Sequence, residues 1–179
     1  MNLLAVAVLV SALADPAHGT ADHCSLLDSK ELAKLQSAQV AETKESVRSE
    51  RGFEVRQCFF RLDPFSRSVS LEVTRQVSSN AARQGLRERW AAIFHEEPRR
   101  EERDKEGERE EKSREKPVPV SGLGEEAFWL PNPASGALYV LARDRYFRVS
   151  VGGGDRPEKK LAKCRSIAES ILARLPKPE

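Results

Sequence analysis

The chain has 179 residues, a formal net charge of +2, 32% charged residues and 39% hydrophobic ones. Charge this close to balance predicts neither general nucleic-acid binding nor attraction to anionic membranes. The length suits one domain of ordinary size.

Residues 3–14 are apolar at eleven of twelve positions, with Ser11 as the exception. That is the length of a signal-peptide core and short of the roughly 20 apolar residues of a membrane span. Ala12-Leu13-Ala14 has the small-x-small pattern that signal peptidase reads. A signal peptide over 1–14 is therefore expected, with residue 19 as the alternative end. No Lys or Arg precedes the core, and the rival is a buried N-terminal helix. Ala21-Asp22-His23 before Cys24 lacks the small apolar residues of a lipobox. The expected product is exported, periplasmic or secreted, with no membrane span after cleavage and a single domain over 24–179.

Asp28 opens a short helix. Glu31 follows it by three residues as in a capping box, and Leu27 and Leu32 have staple spacing. Residues 40–48 alternate weakly, and residues 53–62 are rich in strand formers. There the alternation changes parity near Gln57, which predicts a bulge or a strand buried on both faces. Asp63-Pro64 breaks the run. Residues 68–76 alternate cleanly, with Val69, Leu71 and Val73 on one side.

Residues 81–95 read as a helix because Leu86, Trp90, Ile93 and Phe94 share one stripe. Residues 99–116 contain no apolar side chain. Such a segment cannot offset its ordering entropy by burial, so a disordered charged insertion is expected. Residues 96–116 carry ten acids and eight bases, net −2, which leaves +4 on the rest of the chain. A strand follows over 118–129, then a hairpin of 138–141 and 146–151. Gly152-Gly153-Gly154-Asp155-Arg156-Pro157 leads into a last helix, with Pro157 in its first turn. Leu161, Cys164, Ala168, Ile171, Leu172 and Leu175 form its apolar face.

This order gives an α+β fold: an antiparallel sheet of about six strands, with about three helices packed on one face. The run of elements also suggests duplication of an αβββ unit. The other face of the sheet is then wet or a binding surface.

Three cysteines in an exported chain suggest one disulfide and one leftover thiol. Cys164 lies on an apolar helix face and reads as a buried thiol. Pairing with another chain, or with Cys24 or Cys58, is the alternative.

Two stretches, Cys24-Ser-Leu-Leu-Asp-Ser-Lys-Glu-Leu with a later strand carrying Cys58, and Gly122-Leu-Gly-Glu-Glu-Ala-Phe128-Trp129 with the hairpin after it, carry a likeness. Together they resemble a loose group of small exported bacterial proteins and extracellular domains, most of them uncharacterised. The resemblance implies a sheet backed by helices and a disulfide from Cys24, at the first helix, to Cys58, on the second strand. Closing that loop of about 35 residues is worth roughly 3 to 4 kcal/mol in the chain-entropy model. The resemblance implies no catalytic residue and no ligand.

His23, beside Cys24 and near His18, suggests a metal only faintly, because zinc needs three or four ligands and His95 is the one other imidazole. The expectation is no metal and no cofactor, with His23 in a loose N-terminal segment. Gly152 to Gly154 invite a phosphate-loop reading, but the Walker Lys-Ser/Thr ending is missing and a strand-to-helix turn is expected. Gly122 and Gly124 suit tight backbone geometry before a strand. Glu125 and Glu126, adjacent on a strand, point to opposite faces and make no acid/base pair.

The expected function is non-catalytic: an envelope-associated or other exported binding protein, monomeric, holding a protein or small ligand. Its candidate contact residues are the aromatics Trp129, Tyr139 and Tyr146 and the hairpin cations Arg143, Arg145 and Arg148. An enzyme whose site shows no linear motif is the alternative, with a metal or redox role behind it.

Overall fold

The structure is a computed structural model and describes residues 23–77, 85–96, 116–132 and 136–175. The expected signal peptide, residues 81–84 of the second helix and the charged insertion up to residue 115 lie outside these residues.

A 3-10 turn at His23–Leu26 leads into α1 (Ser29–Gln36). Asp28 caps α1 by accepting from the backbone N–H groups of Lys30 at 2.7 Å and Glu31 at 3.1 Å. These bonds hold the Asp28 carboxyl below its usual pKa. Only half of the expected capping box forms, because Arg174 takes the Glu31 carboxylate at 2.7 and 3.0 Å. Next come β1 (Gln39–Glu50), β2 (Phe53–Asp63) and β3 (Val69–Gln76). Arg51 and Gly52, at φ 50° and 87°, make the tight turn between β1 and β2. After α2 (Leu86–Phe94) the chain forms β4 (Val118–Pro119), β5 (Glu126–Leu130), β6 (Ala137–Ala142), β7 (Arg145–Val151) and α3 (Pro157–Arg174).

All strands join one antiparallel sheet of order β1-β2-β3-β7-β6-β5-β4. It has seven strands where about six were expected, because the stretch expected as one strand over 118–129 is split by a turn. Gly124 sits there at φ +58°, and a Cβ on it would come within 2.4 Å of the Leu141 carbonyl oxygen. Only glycine fits that approach.

The helices do not share a face. On the first face, Cys58, Leu71, Val149 and Leu138 meet α1 and the Cys164, Ile167 and Ile171 side of α3. On the second face, Leu86 and Trp90 of α2 bury against Phe53, Phe128, Leu141 and Tyr146. The physical reason is the width of the α2 stripe, which carries two aromatic rings and needs an aromatic landing surface of its own. The Trp90 ring meets those of Phe94, Tyr146 and Phe128 at tilted angles, with centres 4.3 to 6.1 Å apart. Ile93, expected on that stripe, is 43% exposed. With α1 on one face and α2 on the other, the packing shows no repeated αβββ unit.

The parity change in β2 also resolves. Its pairing with β3 runs without a break from Phe53↔Gln76 to Phe60↔Val69, so β2 has no bulge there. Instead Phe53 serves the second face, while Cys58, Phe60 and Leu62 serve the first. The irregularity lies in β1, between Val40 and Glu42.

Candidate functional site

Among the described residues, helix α2 covers only part of the second face. Consecutive registers place Ser46, Gln57, Glu72, Arg148, Tyr139 and Phe128 in one row across six strands. The Phe128 end lies under α2, whereas the Ser46 end faces water. Between them Glu72 accepts from Arg48 at 3.3 Å, and the Arg148 guanidinium lies 5.9 Å from the Tyr139 ring centre. Arg148 makes no ion pair among the described residues. In the neighbouring row Phe59 pairs with Ser70, and its ring meets Phe65 at 5.9 Å. Phe65 is 66% exposed, the most of any large apolar side chain described. The surface is thus a flat strip of cations, one carboxylate and two aromatic contacts. Exposed ion pairs of this kind contribute little to stability, so the fold does not explain the strip.

At the end of α2, Glu126 receives Trp90 Nε1–H at 2.5 Å and His95 Nε2–H at 2.9 Å. Burial pushes the Glu126 carboxyl upward, but these bonds outweigh it and leave the pKa below the usual value. Glu125 precedes β5, and its carboxylate takes Arg87 and the backbone N–H of Arg143. Both carboxylates therefore anchor α2, rather than dividing between faces as their adjacency predicts. The His–Glu pair lies half-exposed, and its carboxylate also carries the buried indole.

The glycine turn before α3 borders a pocket of about 290 Å³ with Gln36, Arg67, Asp155, Lys159 and Lys163. Its cations are engaged internally. Asp155 accepts from Lys163 at 2.7 Å and Lys159 at 2.9 Å, which lowers its pKa to about 2. Lys163 also donates to Gln36 Oε1 at 2.7 Å, and Arg67 donates to the carbonyls of Gln36 and Ser37 at 2.8 Å. Gln36 is buried and donates to the carbonyls of Arg67 and Gly152. This network splices α1, β7 and α3, so the glycines serve a strand-to-helix turn.

The six contact residues expected from sequence do not form one surface. Trp129 lies buried on the first face, and Tyr146 lies buried under α2, where its hydroxyl accepts from Arg89 at 3.1 Å. Arg145 points to the first face and grips Asp144 at 2.8 and 2.9 Å. Arg143 sits in the hairpin turn and donates to the Leu175 carbonyl at 3.0 Å. Tyr139 and Arg148 alone are cross-strand neighbours on the partly open face. Sequence reasoning missed Arg48, Glu72, Phe59 and Phe65. Of these, Phe65 carries a signal, a large ring in the non-periodic stretch behind Asp63-Pro64.

Cys24 and Cys58 form a disulfide with Cα atoms 5.5 Å apart, and Cys164 is a buried free thiol. A disulfide fits an oxidising compartment. Burial pushes the Cys164 pKa up to about 12, the reverse of what a reactive thiol needs. His23 is buried in the 3-10 turn, not in a loose N-terminal segment. Among the described residues no three metal-ligating side chains gather, and no helix is long and apolar enough to cross a membrane. No protein-family model, curated protein or solved structure matches the chain.

Proposed function

We propose that this chain is an exported, non-catalytic binding protein, periplasmic or secreted, that docks a partner on the uncovered half of its second sheet face. The observation that supports this reading most is the row from Gln57 through Glu72 and Arg148 to Tyr139, flanked by the half-buried Phe59 and the exposed Phe65. Such a strip suits a partner that offers carboxylates to Arg48 and Arg148 and an apolar side chain to Phe65. Arginine and aromatic rings dominate binding hot spots because both present large rigid surfaces. The disulfide and the apolar run at residues 3–14 support the location.

Photo-cross-linking in the protein's own compartment tests the reading. A cross-linking residue at position 59 or 148 is expected to capture a discrete partner, and one at Ser166 on α3 is not. Arg148→Glu with Phe65→Ala should abolish capture while the fold persists. Capture that survives both changes, or that vanishes only on deletion of 99–116, would transfer the role away from this face.

A further inference from the structure

The two edges of the sheet differ. Strand β4 closes one edge with two residues, one of them Pro119, and short proline-bearing edges resist further pairing. Strand β1 leaves twelve residues on the other edge, and every one from position 41 to 50 is exposed. Val47 is 50% exposed in its middle.

The outward groups of β1 follow from the ladder. Val77 N–H donates to the Gly52 carbonyl at 3.0 Å, which makes Phe53↔Gln76 a non-hydrogen-bonded pair. The polar backbone of Phe53 therefore points to Glu50, and by alternation Arg48, Ser46 and Lys44 also bond β2. Thr43, Glu45, Val47 and Ser49 present their N–H and C=O groups outward.

An antiparallel strand added here must pair odd residues with odd, which restricts self-pairing to a few registers. Centring on Glu45 sets that carboxylate against its own copy, and centring on Ser46 sets Lys44 against Arg48 and Glu42 against Glu50. Centring on Lys44 or Arg48 opposes identical cations. Centring on Val47 places Val47 on Val47, Arg48 on Ser46, Glu45 on Ser49 and Lys44 on Glu50 twice. Centring on Thr43 or Ser49 also matches opposite charges, Glu42 with Lys44 or Arg48 with Glu50, but pairs only three residues of the regular stretch 42–50, whereas the Val47 register pairs seven, 44–50, and opposes no like charges. Lys44 and Glu50 then fall at the closer, non-hydrogen-bonded positions.

From this charge complementarity we propose that the β1 edge docks a second copy of this chain, antiparallel and centred on Val47, to give one continuous fourteen-stranded sheet. The two-fold axis stands perpendicular to the sheet, so both second faces lie on the same side. This replaces the monomer expected from sequence. The proposal stands on the ladder and the charge pattern, independently of what the second face binds.

Sedimentation of the purified, disulfide-intact chain over a range of concentrations tests it. The unaltered chain is expected to dimerise. Lys44→Glu, which opposes like charges twice, should weaken association by about tenfold or more. Lys44→Glu with Glu50→Lys should restore it to within about threefold. Val47→Pro removes an outward N–H that β2 does not use, and should abolish the dimer while circular dichroism stays unchanged. Three results would overturn the proposal. A chain that remains monomeric at about 1 mM would leave the edge to an extended segment of another protein. A dimer indifferent to both Lys44→Glu and Val47→Pro would lie on another surface. A charge swap that fails to restore pairing would rule out the register.

Discussion

The indole N–H of Trp90 donates to the carboxylate of Glu126 at 2.5 Å, joining the middle of α2 to the start of β5. This bond and the aromatic contacts around it hold α2 on the second face. Trp90→Phe should keep ring burial but leave Glu126 short of a donor, at about 1 to 2 kcal/mol. Trp90→Ala should cost about 3 to 5 kcal/mol by opening a cavity. Urea denaturation of both variants checks the order, and equal losses would mean that the hydrogen bond contributes nothing.

Acid should weaken the first face at its charged end. Glu54 accepts from Arg56 at 2.8 Å and Arg75 at 2.9 Å, and the guanidinium of Arg56, then that of Arg75, holds its pKa at about 2 against an ordinary value of 4.5. A lowered folded-state pKa means stabilisation present above about 4.5 and lost as pH falls toward 2. Glu54→Gln should therefore destabilise by about 1 kcal/mol at neutral pH, a value discounted for the solvent-exposed Arg75. It should also flatten the acid limb of a melting-temperature profile, and an unchanged limb would remove Glu54 as its source.

Thiol accessibility should follow burial. The chain has three cysteines, of which Cys24 and Cys58 are paired and Cys164 is enclosed. A thiol reagent should find none in the native protein, one in denaturant, and three after reduction in denaturant. Cys24→Ser with Cys58→Ser should cost about 3 to 4 kcal/mol, from the freed loop. Native labelling of Cys164 would show that α3 lifts from the sheet.

Gly124→Ala should destabilise by about 2 kcal/mol or more, since it adds an unfavourable left-handed φ to a backbone clash. Gly154→Ala, where no atom lies within 4 Å of the added carbon, should stay within about 0.5 kcal/mol. Thermal melts of the pair separate close approach from general glycine loss.

Local patterns were legible where the signal is short-range. The Asp28 cap, the clean alternation of 69–73 and the apolar stripe of α3 depend on neighbours within a turn or a strand, and each forms where its periodicity put it. The proposed docking strip was not legible. Arg48, Phe59, Glu72 and Arg148 come from four strands, and only the register between those strands makes them neighbours. Tyr146 and Trp129 looked equivalent to Tyr139 in sequence, because aromatic character does not say which rings a helix will cover.

By itself the sequence determined the α+β composition, the antiparallel hairpins, the starts of the first and last helices and the enclosed environment of Cys164, since periodicity, capping and apolar flanks act through contiguous residues. The second helix, expected from residue 81, starts only at Leu86 behind the extended Gly85. Tertiary structure alone decided that α2 crosses to the second face, that Glu31 leaves its cap for Arg174, and that β1 stands at an edge of the sheet among the described residues. Those outcomes depend on which surfaces are left over once distant segments have packed, as the contact of Glu31 with a residue 143 positions away shows.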